Sequence, residues 1–163
     1  MYRNKDSFNE QNRISKPAVD AIIKSFQAWD HWLVVDTQNN KRYQEKDIDI
    51  ILDDIIFIEV KFDTKMYNTG NLYCENVSCV EVGSKGWLWK SEADLIYYCE
   101  YKPNDLCVCH IFKLDELRNY VNENHPRLIK HWDYSDRKTK SAYLVHIDKV
   151  KKFESYDKFL LAI

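Results

Sequence analysis

Asp49, Glu59 and Lys61 are three ionisable side chains inside the most apolar stretch of a 163-residue chain. The stretch reads as two adjoining strands, residues 46–52 and 55–62, with Asp49 on the first and Glu59 and Lys61 on the second. Charges in such a setting are costly to bury unless each is paired or holds a cation. Two carboxylates that converge across a strand pair can hold a hard divalent cation. Lys61 shares a face with Glu59, because strand side chains alternate with period two, while Ile58, Val60 and Phe62 turn to the core. A cation that polarises a phosphate oxygen and acidifies a bound water, next to an ammonium that steadies developing negative charge, is the equipment for phosphodiester hydrolysis.

Register decides whether the two acids meet. A two-residue turn at Asp53-Asp54 pairs Leu52 with Ile55 and Asp49 with Ile58, which puts Asp49 and Glu59 on opposite faces. A three-residue loop or a bulge sets Asp49 across from Glu59. Asp-Asp is not the Asn-Gly or Asp-Gly pair that specifies a tight turn. The longer loop or bulge is therefore expected, and with it a metal site. Glu75, mid-strand on the following segment, is expected as a further ligand or as support for one.

The pattern Asp49…Glu59-Val60-Lys61 resembles the PD-(D/E)XK nuclease superfamily, of restriction-endonuclease-like fold. The words Gln44-Glu45-Lys46-Asp47-Ile48-Asp49, Thr69-Gly70-Asn71, Gly86-Trp87-Leu88 and Ser91-Glu92-Ala93-Asp94 resemble its small phage and bacterial members. The resemblance covers residues 17–112. It implies Mg²⁺, or Mn²⁺, held by Asp49 and Glu59 with the Val60 carbonyl, Lys61 as the catalytic lysine, and DNA as the substrate. It also implies a core of mixed central sheet flanked by helices, and a possible homodimer. The chain departs from the pattern twice. Ile48 stands in place of the proline, and the helix-borne acid has only Glu10 and Asp20 as candidates. A catalytically inactive module on the same fold, binding nucleic acid or a protein, is the alternative.

The elements that must position these residues read as an α/β (α+β) arrangement in one domain over 1–163. Residues 1–13 read as a polar arm. A helix is expected from Ser15 and Pro17 to residue 29, because Val19, Ile22, Ile23, Phe26 and Trp29 recur at helical spacing. Strands are expected at 31–37, 72–81, 94–101, 106–112 and 142–147. Turns are expected around Asn68-Thr69-Gly70-Asn71, Gly83–Gly86 by number 83–86, and Lys102-Pro103-Asn104-Asp105. Short helices are expected at 87–91 and through Leu114, Leu117 and Val121, the latter stopped by His125-Pro126. A terminal helix carrying Tyr156, Phe159, Leu160 and Ile163 closes the series, with residues 113–163 as an extension of the core.

Composition sets the frame. Hydrophobic residues at 45% and aromatics at 14% suit a packed core, and the net charge of -2 neither advertises nor excludes a nucleic-acid partner. The polar start and the lack of a long apolar run predict no signal peptide, no membrane partner and a cytoplasmic protein. The five cysteines, Cys107 and Cys109 with Cys74, Cys79 and Cys99, match no zinc spacing and are expected as buried free thiols. Trp87, Lys138 and Lys140 are candidates for nucleic-acid contact. For Trp87, Trp89, Tyr97, Tyr98 and Tyr101 a core role is the commoner outcome.

Overall fold

The computed structural model describes residues 6–28, 31–102, 106–134 and 136–162. Among these residues the strands of two sheets and six helices alternate. They are α1 (Asp6–Gln27), β1 (Val34–Asp36), α2 (Lys41–Gln44), β2 (Ile50–Leu52), β3 (Ile56–Asp63), α3 (Met66–Thr69), β4 (Asn71–Cys79) and β5 (Ser84–Lys85), then α4 (Trp87–Lys90), β6 (Leu95–Lys102), β7 (Leu106–Lys113), α5 (Leu114–Asn124), β8 (Leu128–Asp133), β9 (Lys138–His146), α6 (Ile147–Val150) and β10 (Asp157–Ala162). The central sheet has the order β1-β2-β3-β6-β7-β10, and the second sheet the order β5-β4-β9-β8. Only β3 and β6 pair in parallel, so the central sheet is mixed. The crossover between those two parallel strands carries α3, β4, β5 and α4, and so delivers half of the second sheet.

Each face of the central sheet buries its own cluster. On one side α1 lays Ala18, Val19 and Ile22 against Ile50, Ile58, Tyr97, Cys99, Cys107 and Cys109. On the other, Ile96, Tyr98 and Phe112 meet Leu72, Cys74 and Val145 of the second sheet, with Leu88, Leu117 and Val121 of the short helices. The alternation of side chains along β3 assigns Ile58 and Val60 to the first cluster and Glu59 and Lys61 to the second face. Cys74, Cys99, Cys107 and Cys109 are buried free thiols, and burial raises the pKa of Cys74. Trp87, Tyr97 and Tyr98 are buried as well, as the core reading of the aromatics expects.

Three expectations are corrected. The first helix starts at Asp6 rather than at Ser15, so Pro17 lies inside it and 6–13 are no arm. Glu10, Gln11 and Arg13 are good helix formers, and the helix accepts one missing N–H at Pro17. The terminal helix is instead the short α6 followed by strand β10, whose Phe159 and Leu161 join the core while Leu160 faces out. A short apolar run fits both periods, and pairing with β7 decides it here. The strand read at 46–52 shortens to β2, and the short helix α2 precedes it at Lys41–Gln44. β8, with its mixed polar residues, gave no alternation to read. Trp29, Ile163 and the Pro103-Asn104-Asp105 turn lie outside the described residues.

Candidate active site

β2 and β3 pair as Leu52 with Ile56 and Ile50 with Ile58. The loop between them therefore holds three residues, Asp53, Asp54 and Ile55, and the same register carried one step on sets Asp49 across from Glu59. The two aspartates adopt left-handed backbone (φ 50° and 60°), a conformation that Asp tolerates better than most residues. Asp53 also accepts a hydrogen bond from the Leu33 N–H at 2.8 Å, which ties the loop to the strand leading into β1. The three-residue loop expected from Asp-Asp is thus present, and it brings the acids together.

Asp49 leaves the ladder with its backbone N–H on the Ile58 carbonyl at 2.8 Å. Its Oδ2 accepts the Val60 N–H at 2.8 Å. Glu59 is 4% exposed, and its Oε1 takes the Lys61 ammonium. The Lys61 Nζ lies 5.4 Å from the centre of the Trp87 ring. Burial holds the Asp49 carboxyl above its ordinary pKa, against the Val60 N–H and Lys61. Burial lifts Glu59 further, and the neighbouring Asp49 charge adds to it. For Lys61 burial works downward, but Glu59 and Asp49 outweigh it and keep the ammonium charged. Two acids against one lysine leave one acid without a basic partner, and burial raises the pKa of both.

Asp47 belongs to the same field and was not singled out in the sequence. It sits in a left-handed turn (φ 52°) and bears electrostatically on Asp49, Glu59 and Lys61. The segment after α4 clamps this turn. Lys90 Nζ donates to Asp47 Oδ1 at 2.9 Å, Ser91 Oγ to the Asp47 carbonyl at 3.1 Å, and the Glu92 N–H to the Lys46 carbonyl at 2.9 Å. Lys46 in turn ion-pairs with Glu92. Arg118 of α5 holds the clamp in place, donating to the carbonyls of Leu88 at 2.8 Å and Ser91 at 2.7 Å. The signal available in the sequence was the two-residue step from Asp47 to Asp49, but the pair of words at 44–49 and 91–94 gave no sign that they touch.

The remaining predicted site residues lie elsewhere. Glu75 is on β4, where its Oε2 is 3.9 Å from Lys140 Nζ. It still borders the site by its backbone: a Cβ on Gly86, the residue that starts α4, would lie 2.2 Å from the Glu75 carbonyl oxygen. Lys140 is drawn to Asp133 at 2.8 Å and Asp136 at 2.9 Å, and Lys138 pairs with Asp136 at 3.3 Å. Asp20 pairs with Lys16 at 3.0 Å on α1, which covers the opposite face of the sheet; the side chain of Glu10 lies outside the described residues.

The donor set suits a small hard cation. One oxygen of each carboxylate is engaged by a protein donor, Val60 N–H on Asp49 and Lys61 on Glu59, which leaves each a second oxygen. Mg²⁺ keeps several waters, so a site of two carboxylates could hold it. Among the described residues no group of three or more His, Cys, Asp or Glu side chains is assembled for a metal. No described helix is long and apolar enough to cross a membrane. Compared with protein-family models, with curated proteins and with solved structures, the chain matches none.

Proposed function

We propose that the chain is a metal-dependent nuclease of restriction-endonuclease-like core that hydrolyses phosphodiester bonds, with DNA as its substrate and Mg²⁺ (or Mn²⁺) as its cofactor. The observation that carries this reading is the register of β2 and β3, which sets Asp49 across from Glu59 with Lys61 bound to the latter in a buried setting where acids outnumber bases. A purely structural ion pair would balance its charges. This one has an acid too many, and that surplus is what a cation site requires.

Asp49 and Glu59 would hold the metal, which when bound supplies Lewis acidity and a more acidic water. The Val60 N–H fixes the Asp49 carboxylate, so its free oxygen has one orientation. Lys61 keeps its proton and places a positive charge beside the phosphate oxygens that gain negative charge. Water oxygen bonds to phosphorus and gives up a proton to solvent as the ester P–O bond breaks, and the leaving oxygen takes a proton from solvent. Trp87 limits the swing of Lys61 by packing its ring against the ammonium.

The test is cleavage of supercoiled plasmid, branched DNA and RNA with Mg²⁺ or Mn²⁺, next to Glu59→Ala and Lys61→Ala. The expected result is metal-dependent nicking that each substitution lowers by about a thousandfold. Absence of cleavage of every form, with no metal bound by the intact protein, would overturn the proposal.

A further inference from the structure

A second polar cluster lies on the same face of the central sheet, toward its other edge. Ladder partners share a face, so Glu59 and Lys61 align with Ile96 and Tyr98 of β6, and Tyr98 with His110 of β7 and Lys158 of β10. His110 is 4% exposed. Its Nε2 is 3.2 Å from Glu100 Oε2 and its Nδ1 is 3.0 Å from the Tyr156 hydroxyl. The two rings stack with centroids 6.1 Å apart. This network floors a cleft of about 460 Å³, within the size range of small-ligand sites.

The walls of the cleft are cationic on one side and apolar on the other. Lys102, Lys151 and Lys158 line it with a single carboxylate, Glu100, and that carboxylate is occupied by His110. Lys151 pairs with Asp148 at 2.9 Å. Among the described residues, no carboxylate lies within ion-pair distance of Lys102 or Lys158. Val108 and Leu160 form the apolar side, and Leu160 is 72% exposed. Burial, together with Lys151 and Lys158, presses the His110 pKa down against the pull of Glu100. The histidine is thus a neutral, hydrogen-bonded floor, and the charge of the cleft comes from the lysines. A local surplus of positive charge in a chain of net charge -2 is complementary to an anion.

We propose that this cleft binds a phosphate monoester on a body of nucleotide size, with the lysines on the phosphate and Val108 and Leu160 against the organic part. The ammonium groups of Lys102 and Lys158, with Lys151 beside them, suit a dianionic phosphate, and an apolar wall next to them gives no advantage to inorganic phosphate alone. A free mononucleotide and the 5′-phosphorylated end of a strand share that chemistry. The site does not depend on the nuclease reading, because no metal and none of Asp49, Glu59 or Lys61 takes part.

The experiment is calorimetric titration of the full chain in EDTA, which removes metal-mediated binding at the acidic centre. The probes are dAMP, a 5′-phosphorylated trinucleotide, deoxyadenosine and inorganic phosphate. Binding of dAMP at least tenfold tighter than deoxyadenosine and inorganic phosphate is expected. Lys102→Gln with Lys158→Gln should weaken it tenfold or more, and Leu160→Ser severalfold. All three positions are on the surface, and circular dichroism checks that the variants fold. A trinucleotide that matches dAMP identifies strand ends as acceptable ligands, and one that fails restricts the site to free nucleotides; both support the proposal. No binding of dAMP or the trinucleotide at millimolar concentration, equal binding of inorganic phosphate and dAMP, or undiminished binding in the double lysine variant would overturn it.

Discussion

One face of the central sheet carries two charged groups of opposite character, the first buried and the second formed by lysines at the surface over the buried His110. At the β2–β3 corner, Asp47, Asp49 and Glu59 face Lys61 and Lys90, and acid is in excess. At the β6–β7–β10 corner, Lys102, Lys151 and Lys158 face Glu100, and base is in excess. Between them Tyr98 and Asp63 form a closed link: the Tyr98 hydroxyl donates to Asp63 at 2.7 Å and accepts the Tyr73 N–H at 2.8 Å. The link is satisfied within the protein and asks for nothing. The two corners are not, and the sign of each surplus says what would complete it. Buried polar groups are informative where their charges fail to balance, since balanced ones are explained by hydrogen bonding alone.

The sharpest break of this comparison is to neutralise one corner. Glu59→Gln leaves Asp49 and Lys61 as a balanced pair, so the metal-free protein should gain about 1 kcal/mol, a rise of a few degrees in Tm. The same change should lower Mg²⁺ or Mn²⁺ affinity by two orders of magnitude or more, and cleavage with it. Calorimetry and thermal melts in EDTA and in excess metal measure both. A variant that is less stable without metal would mean that Glu59 is a structural partner of Lys61 and that the surplus acid has no functional meaning.

Gly86 sharpens the comparison by moving the wall of the first corner and leaving the second alone. A methyl group there would drive into the Glu75 backbone, which cannot yield as a flexible side chain would. Gly86→Ala should cost on the order of 3 kcal/mol by separating α4 from β4. It should also displace Trp87 from Lys61. Chemical denaturation gives the cost, and a loss under about 1 kcal/mol would show that the two elements separate freely.

The corners should answer pH in opposite directions. Asp49 and Glu59 have carboxyl pKa values raised by burial, so their contribution to stability is complete below about pH 4, the unfolded range, and is lost as pH rises through the folded values. His110 is held below its ordinary value by burial, so its contribution is present above about pH 6.5 and is lost as pH falls through the folded value. Stability in EDTA should therefore fall on the neutral side because of the acids and on the acid side because of the histidine. Glu59→Gln should flatten the first limb and leave the second. If it flattens both, the two corners are coupled across Tyr98 and Asp63.

Much of this was legible in the chain. The apolar strands around Glu59 announce themselves by alternation, and Asp53-Asp54 marks a loop too poor in turn residues for a tight hairpin, which fixes the register that joins the acids. The parts that were not legible rest on long-range contacts. Phe159 and Leu160 fit a helix as well as a strand until β7 is there to pair with. Lys138 and Lys140 read as candidates for nucleic-acid contact, and their carboxylate partners at Asp133 and Asp136 come together at the β8–β9 turn. Asp47 meets Lys90 across 43 residues.

That last contact yields the smallest effect and the finest test. Lys90 is the half-exposed member of its ion pair, with 44% of its side chain open to solvent, so the pair contributes at most about 1 kcal/mol. Lys90→Met removes one positive charge from the acidic corner and releases the Asp47 carboxylate. The turn itself should hold, because Ser91 Oγ and the Glu92 N–H still grip the carbonyls of Asp47 and Lys46. With the backbone kept and the field more negative, metal affinity should rise two- to fivefold while Tm moves by less than two degrees. Weaker metal binding would show that Lys90 aligns the turn before Asp49 and that its positive charge is incidental, so the surplus of acid would then depend on a cation the protein itself supplies.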